Sequence, residues 1–233
     1  MKLIFDIGYN EGHFTKACNE KMPDCKIIGV EANKFLLPEL ENKNFKNLTL
    51  INYLVSNTDG ESKKLWIDPR QNGISTASDK FKKYSRFAKG SKYIKDSVSN
   101  WTSSIEVKTI TLDKMIKDYG SPDIIKVDVE GYEFEVLSGL TKKASKICFE
   151  CHEEEGEKID NCINHLNSLG YQEYGFIGYL DEGDIYKSMT FSSIGDPYLV
   201  EPKKYVKWEI LKKELYESFD ENRRVNYGMM WCK

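Results

Sequence analysis

Short apolar runs that end beside an acidic residue alternate with helical periods through the first 60 residues. One run over residues 2–6 ends on Asp6, and a second over residues 27–30 is followed by Glu31. Apolar residues recur at helical spacing over 11–22, and a second helix is expected near 33–41, before a third strand over 48–53. Buried strands joined by helices require a parallel sheet with right-handed crossovers. The pattern predicts an α/β fold.

The same alternation returns after residue 110. Thr111 is expected to cap a helix, and the expected order is then a strand over 123–127, a turn and a helix, a strand over 146–150 and a helix over 157–169. The aromatic-rich tail from 171 to 233 is predicted to form antiparallel strands and a helix near 207–218. The chain has 233 residues with no repeat or evident linker, so we expect one domain over 1–233.

A basic segment interrupts this order. Residues 61–100 carry ten basic residues and four acidic residues, with aromatic residues interleaved. We interpret them as part of an insertion at about residues 61–104. The insertion is either a solvated loop or helix at the flank of the sheet, or a lid that binds the acceptor substrate.

Composition excludes several classes of protein. A formal charge of −3 with 40% hydrophobic and 30% charged residues is typical of a globular domain and excludes collagen-like, coiled-coil and disordered chains. No apolar run reaches the ~18 residues of a membrane span, and the N-terminal run is too short for a signal sequence. The six cysteines are sparse, which favours a reducing compartment, and we expect a cytoplasmic protein.

The cysteine spacing imitates a zinc site but does not support one. Cys148-x-x-Cys151 and Cys162-x-x-His165 have the spacing of zinc ligands. Cys148 and Cys151 are three residues apart in a predicted strand, so their side chains would point to opposite faces. We expect buried thiols there and no metal site.

Two motifs at strand ends indicate a cofactor. In DIGYNEG (6–12), Gly8 and Gly12 allow close approach of the backbone to a ligand, and a helix follows. The G-x-G-x-x-G spacing of nicotinamide-dependent dehydrogenases is missing, and the leading Asp6 suits a cationic ligand better than a pyrophosphate. Glu31, at the next strand end, can accept both hydroxyls of a ribose. Together they favour S-adenosylmethionine, a nucleoside with a cationic, amino-acid-like end.

A third motif places charged residues in the centre of the sheet. Lys126, Asp128 and Glu130 alternate with valines, so on a strand they would share one face, where burial is costly unless they are paired or serve a site. Asp128 should lie at the carboxyl edge, where ligands bind in open α/β sheets. His152, expected in a loop just after the fifth strand, lies at the same edge and is a candidate base.

These segments resemble the FkbM-type S-adenosylmethionine-dependent methyltransferases. The similarity covers roughly residues 2–170 and lies in DIGYNEG (6–12), VEAN (30–33), TLDKMI (111–116), PDIIKVDVEGYEFEVLSG (122–139) and ECH (150–152). It implies the Rossmann-like, three-layer class I methyltransferase fold, with a mainly parallel seven-stranded sheet that contains one antiparallel strand. Family members mostly O-methylate sugars and secondary metabolites.

The resemblance also implies roles for individual residues. The loop around the methionine moiety would contain Asp6, Gly8, Asn10 and Gly12; Glu31 would bind the ribose, and the segment near Ser56 would flank the adenine. Asp128 would lie beside the transferred methyl group. Tyr9 departs from the family's pattern, which has a small residue there.

We expect a sugar or glycan hydroxyl as the acceptor. Asp128 or His152 would take its proton, and Lys126 and Glu130 would hold the local geometry. A ribose 2′-O-methyltransferase acting on RNA is the alternative, although a sequence pI of 5.8 makes nucleic acid an unlikely general partner. A degenerate, non-catalytic binding module is disfavoured, because Asp6, Glu31 and Asp128 are intact.

Overall fold

The computed structural model describes residues 1–43, 45–89, 91, 99, 101–180, 202, 204–218 and 225–233. The strands are β1 (Leu3–Ile7), β2 (Lys26–Val30), β3 (Leu48–Ile51), β4 (Leu54–Val55), β5 (Ser62–Ile67), β6 (Ser103–Ile110), β7 (Ile124–Val127), β8 (Lys146–His152), β9 (Tyr174–Leu180) and β10 (Val225–Cys232). The α-helices are α1 (His13–Lys21), α2 (Leu37–Glu41), α3 (Asp79–Tyr84), α4 (Leu112–Tyr119), α5 (Glu133–Leu137), α6 (Gly156–Ser168) and α7 (Trp208–Ser218). Short 3-10 turns lie at Asn72–Ile74 and Glu153–Glu155.

Seven strands form one sheet in the order β3-β2-β1-β7-β8-β10-β9. All neighbouring strands from β3 to β8 are parallel, and β10 is antiparallel to both β8 and β9. This confirms the predicted mainly parallel sheet with one antiparallel strand. Apolar runs form these strands because β1, β2 and β7 are buried on both faces, as parallel strands between helical layers must be.

Two apolar cores cover the two faces of this sheet. One contains Phe14 and Cys18 of α1, and the other contains residues of α4, α5 and α6. Cys148 belongs to the first core and Cys151 to the second, as the strand periodicity predicted. All six cysteines are buried free thiols. The helices and the sheet therefore make three layers.

Helix ends follow the local sequence. The Thr111 hydroxyl accepts a hydrogen bond from the Lys114 N–H, and Gly120, with φ 101°, ends α4. The second helix begins at Leu37, not near residue 33, because Pro38 has no N–H and fits only the first turn.

The insertion contains strands where we expected a loop or a helix. β5 and β6 are antiparallel, and with β4 they form a second sheet of three strands. Leu65 and Ile67 point inward on β5, and Lys63 shares their face and donates to the Tyr132 hydroxyl at 3.3 Å, so an alternating pattern was present but was obscured by the charges. Residues 44, 90, 92–98, 100, 181–201, 203 and 219–224 lie outside the described residues, so part of the predicted insertion and of the predicted tail is not described. In the part of the chain that is described, no helix has the length and hydrophobicity to cross a membrane.

Candidate active site

The loop after β1 crosses over the end of β7, and this crossing requires a glycine. Gly8 has φ 75°, and a Cβ atom there would lie 1.7 Å from the main-chain oxygen of Asp128. The N–H groups of Gly8 and Tyr9 donate to the carbonyl of Val30 at 3.1 and 3.0 Å. The loop is thus fixed against β2 on one side and the Asp128 backbone on the other.

Tyr9, the departure from the family pattern, fits because two glycines leave room for its ring. A Cβ atom on Gly12 would lie 2.5 Å from the Tyr9 hydroxyl oxygen, and one on Gly29 would lie 2.5 Å from Cδ2 of the ring. The side chain is buried and packs with Leu36 and Leu40. Gly12 therefore makes space for Tyr9 and does not line the ligand cavity.

Asp6 and Lys126 form a buried support under the loop. Lys126 Nζ lies 3.3 Å from Asp6 Oδ1 and 3.4 Å from Asp128 Oδ2, and it donates to the Gly8 carbonyl at 2.8 Å. The Thr15 hydroxyl donates to Asp6 at 2.8 Å. Burial raises the pKa of Asp6, while Lys126 and Thr15 oppose that rise. Neither Asp6 nor Lys126 lines the cavity, and their contacts hold the Gly8 carbonyl and Asp128 in place.

Glu31 joins the two cofactor motifs. Its Oε2 accepts the Asn10 N–H at 2.8 Å and its Oε1 accepts the Asn33 N–H at 2.7 Å. These bonds hold Asn10 in a left-handed conformation, with φ 45°. Burial raises the pKa of Glu31, and the two backbone hydrogen bonds oppose this rise. Since a carboxylate offers about four lone-pair sites, two remain for a ligand.

A cavity of about 720 Å³ begins at Glu31 and continues past Gly8 and Asp128. Its volume lies within the ~300–1,000 Å³ usual for small-molecule sites. Near Glu31 the lining is mostly apolar and includes Tyr53, Leu54, Val55 and Leu65. Ser56 does not line it; the side chain is buried between Asn57 and the Tyr132 hydroxyl.

The far end of the cavity is rich in carboxyl groups, contributed by Asp128, Glu130 and Glu150. β7 ends at Val127, as the predicted strand over 123–127 does, and Glu130 lies in the predicted turn with φ 54°, so it does not share the strand face of Lys126, where we expected it. Glu133 Oε1 accepts the N–H groups of Val129 and Gly131 at 3.0 and 3.2 Å and so fixes this turn. Lys126 and Asp128 still lie on one side, as predicted.

His152 is the last residue of β8 and is buried, contrary to the exposed loop position that we expected. Its Nε2 lies 2.7 Å from Glu150 Oε2. The ring contacts the edge of Phe81, with centroids 5.5 Å apart, and stacks on Tyr227 at 6.0 Å. Nδ1 is buried without a hydrogen bond. The imidazole is therefore held in one orientation.

Like charges perturb the acids at this end. Burial raises the pKa of Glu130, and the Glu150 carboxylate raises it further. Burial also raises the pKa of Glu150, with repulsion from Asp128 as the next cause. Such a group of convergent carboxyls with perturbed pKa values in a cavity is typical of a functional site.

The insertion forms one wall of the cavity, through Gly73, Ser75, Ala77, Arg86 and Phe87. Arg86 Nη2 lies 2.9 Å from Glu154 Oε2, and the Arg86 N–H donates to Glu154 Oε1 at 2.7 Å. Burial raises the pKa of Glu154, but its contacts with Arg86 outweigh burial and lower it overall. This buried ion pair attaches the insertion to the segment after β8.

Several cavity residues were missed by sequence reasoning. Glu150 could have been found, because it precedes His152 by two residues and so shares its strand face. Arg86 and Tyr227 carried no local signal, since each reaches the site through tertiary contacts.

Comparison with known proteins gives one family. The family described as methyltransferase FkbM domain matches residues 6–175. No curated protein sequence matches the chain. Among solved structures, the chain is similar to precorrin-6y C5,15-methyltransferase from Geobacter metallireducens GS-15, with 11% identity over 99% of this chain and 80% of that chain and a TM-score of 0.44. It is similar to the plantazolicin methyltransferase BpumL in complex with a pentazolic desmethylPZN analog and SAH, with 12% identity over 99% of this chain and 76% of that chain and a TM-score of 0.43. It is also similar to the 16S rRNA (adenine(1408)-N(1))-methyltransferase from Catenulisporales acidiphilia, with 10% identity over 100% of this chain and 87% of that chain and a TM-score of 0.42.

Proposed function

The chain belongs to the FkbM-domain methyltransferase family, and from this premise we propose that it transfers a methyl group to a hydroxyl oxygen of a sugar or glycan. It is an S-adenosylmethionine-dependent methyltransferase. The cofactor, when bound, supplies an electrophilic methyl group on a sulfonium. We choose a hydroxyl-bearing substrate because hydrogen-bond acceptors cluster at one end of the cavity. They come from Asp128, Glu130, Glu150 and His152.

The residues at the other end fit the cofactor. Glu31 retains lone pairs for the ribose hydroxyls after its two backbone bonds. Leu54, Val55 and Leu65 offer apolar contacts suited to an adenine. We therefore propose that Leu54, Val55 and Leu65, and not Ser56, flank the adenine. Gly8 has no side chain, so the methionine moiety can approach the backbone there closely. Asp128 provides a negative charge that stabilises a sulfonium.

The carboxyl cluster suits a polyol. Each sugar hydroxyl is a hydrogen-bond donor, and carboxylates accept such bonds strongly. Phe87 and Tyr227 line the same region and offer flat apolar surfaces against which a sugar ring can pack. The same carboxylates repel phosphates, which disfavours an RNA strand as the acceptor.

Positioning and proton removal are the tasks of this chain's side chains. Aligning the acceptor oxygen with the methyl group can supply ~7–11 kcal/mol of the barrier reduction. An alcohol must lose its proton as the new bond forms. Asp128, oriented by Lys126, and His152, oriented by Glu150, are the two groups placed to accept it. The insertion forms one wall of the cavity, through residues that include Arg86 and Phe87.

The proposal is tested by methyl transfer from methyl-labelled cofactor to a panel of sugars, glycans, small amines and RNAs. Asp128→Asn serves as the inactive reference. We expect label in a base-stable ether of a sugar or glycan, absent with the variant. Label only in an amine, or only in RNA, would overturn the choice of acceptor.

A further inference from the structure

We infer that Glu130, Glu150 and His152 bind a divalent metal ion at the acceptor end of the cavity. The ion's role in methyl transfer rests on the proposed function, whereas its binding does not. Each of the three residues offers one ligand atom, and these atoms all lie within 4.8 Å of one another. All three residues line the cavity, so an ion placed among them can also meet a substrate.

The distances fit a metal centre. With metal–ligand bonds of about 2.1 Å, two ligands lie about 3 Å apart when adjacent and about 4.2 Å apart when opposite. The 2.7 Å between His152 Nε2 and Glu150 Oε2 approaches the adjacent spacing. Small side-chain movements therefore bring the three donors to one ion. Since His152 and Glu150 come from β8 and Glu130 from the turn after β7, two rigid elements supply the ligands.

One buried atom of this set lacks the partner that burial normally requires. Glu130 Oε2 is inaccessible to solvent and makes no hydrogen bond. Buried polar atoms are rarely left unsatisfied, and a bound ion would satisfy this one. The His152 side chain, only 3% exposed, holds its Nε2 beside Glu150 at the same place. The state of Glu130 Oε2 concerns a single atom and is independent of the clustering of the three side chains.

The neighbouring cations are shared with other groups. Arg86 pairs with Glu154, and Lys126 lies 3.3 Å from Asp6 Oδ1 and 3.4 Å from Asp128 Oδ2 and donates to the Gly8 carbonyl. Three carboxyl groups, those of Asp128, Glu130 and Glu150, thus converge beside a histidine. Their mutual repulsion is relieved by a divalent charge.

The donor set indicates the class of metal. Two carboxylates and one imidazole, without a thiolate, suit Mn²⁺, Fe²⁺ or Zn²⁺ better than Mg²⁺ or Ca²⁺, which prefer oxygen ligands alone. Three protein ligands leave coordination positions open towards the cavity. Neighbouring hydroxyls of a sugar can fill them, which aligns one oxygen with the methyl group and makes its proton easier to remove.

Methyl transfer at this site involves one proton transfer and one displacement. The acceptor O–H bond breaks and its proton passes to Asp128, an oxygen–carbon bond forms to the methyl group, and the sulfur–carbon bond breaks. The products are the methyl ether and S-adenosylhomocysteine. With His152 bound to the ion, Asp128 is the base.

Metal binding alone is the first test. Protein stripped with a chelator is titrated with MnCl₂, without cofactor or acceptor, and free Mn²⁺ is followed by electron paramagnetic resonance. We expect one site per chain and a loss of affinity of at least tenfold in each of Glu130→Gln, Glu150→Gln and His152→Gln. Glu106→Gln and His165→Gln are matched controls, since both side chains lie outside the cavity, and should bind like the parent.

Folding of each variant is checked by its stabilisation with S-adenosylhomocysteine. No Mn²⁺ site in the parent protein, or equal affinity in all five variants, would overturn the inference. Transfer to a sugar hydroxyl that is unaffected by chelation would overturn the metal's role and leave the proposed function standing. Metal binding with no hydroxyl methylated by the metal-loaded enzyme would overturn the proposed function and leave the metal site standing.

Discussion

Replacing Glu31 with glutamine should weaken cofactor binding and loosen the loop after β1 at the same time. The carboxylate accepts two backbone N–H groups, from Asn10 and Asn33. Glutamine keeps one carbonyl oxygen for one of these donors but presents an NH₂ group to the other. One hydrogen bond to a charged group is lost, about 1.5–3 kcal/mol, so we expect the free energy of unfolding to fall by about 2 kcal/mol.

The same substitution removes an acceptor for the ribose. A further loss of about 1.4 kcal/mol or more in binding corresponds to at least tenfold weaker affinity for S-adenosylhomocysteine. Calorimetric titration measures this affinity, and urea unfolding measures the stability. Alanine is a poorer test, since it leaves both N–H groups without the acceptor and confounds binding with unfolding.

Asn52→Ala is the matched control for loop disruption. Asn52 Nδ2 donates to the carbonyl oxygens of Glu31 and Ala32, at 2.7 and 3.1 Å, without touching the carboxylate. This variant should lose stability but retain most of its affinity. A Glu31→Gln protein that is destabilised yet binds S-adenosylhomocysteine like the parent would refute the ribose assignment and leave Glu31 as a brace of the loop.

Titration of Glu31 gives an independent check. Burial raises its pKa above the ordinary value, and ribose hydroxyls bind the ionised form, so protonation of Glu31 competes with cofactor binding. Affinity of the parent should fall as pH decreases through this raised pKa. The glutamine variant should lack that component of the pH dependence, and parallel pH profiles would contradict the reasoning.

Three further substitutions test the rest of the site. Gly8→Ala should abolish cofactor binding and lower the melting temperature, because the new Cβ would overlap the Asp128 carbonyl oxygen. Unchanged cofactor affinity would contradict this prediction. Asp128→Asn should slow turnover on a confirmed acceptor by ~10²–10⁴-fold while the affinity for S-adenosylhomocysteine is nearly kept, and full turnover would exclude Asp128 as the base. Burial, followed by Glu155, raises the pKa of Glu133 from 4.5 to about 8, so the folded state keeps a proton that the unfolded chain releases. The free energy of unfolding should therefore fall as pH rises from about 4.5 to 8, and Glu133→Gln should flatten this slope in urea unfolding at pH 5 and 8.

The sheet could be predicted because buried parallel strands leave an unambiguous pattern. β1, β2, β7 and β8 appear as continuous apolar runs, and each helix between them has a clear period. The small second sheet could not be predicted in the same way. β5 is half exposed, and its pairing with β6 joins residues about 40 apart in sequence, which local periodicity does not encode.

The cofactor loop was predictable in composition but not in the function of each residue. Gly8, Asn10 and Glu31 lie on the cavity, as expected. Asp6 and Gly12 lie behind it, where one holds Lys126 and the other makes room for Tyr9. A one-dimensional motif records which residues a loop requires. It does not distinguish those that face the ligand from those that hold the loop in place.

The two ends of the cavity depend on different parts of the chain. At the cofactor end, Gly8, Asn10 and Glu31 lie in loops that directly follow β1 and β2, so short motifs predict them. The apolar wall of that end includes Leu65 of β5, which no short motif predicts. The acceptor end combines the turn after β7 and the end of β8 with Arg86 and Phe87 of the insertion and Tyr227 of β10. Tyr227 pairs with His152 only because β10 lies antiparallel beside β8. Substitutions of Arg86, Phe87 or Tyr227 can therefore alter the choice of acceptor without disturbing Glu31 or Gly8. Candidate acceptors should be chosen to fit these side chains and the carboxyl groups beside them.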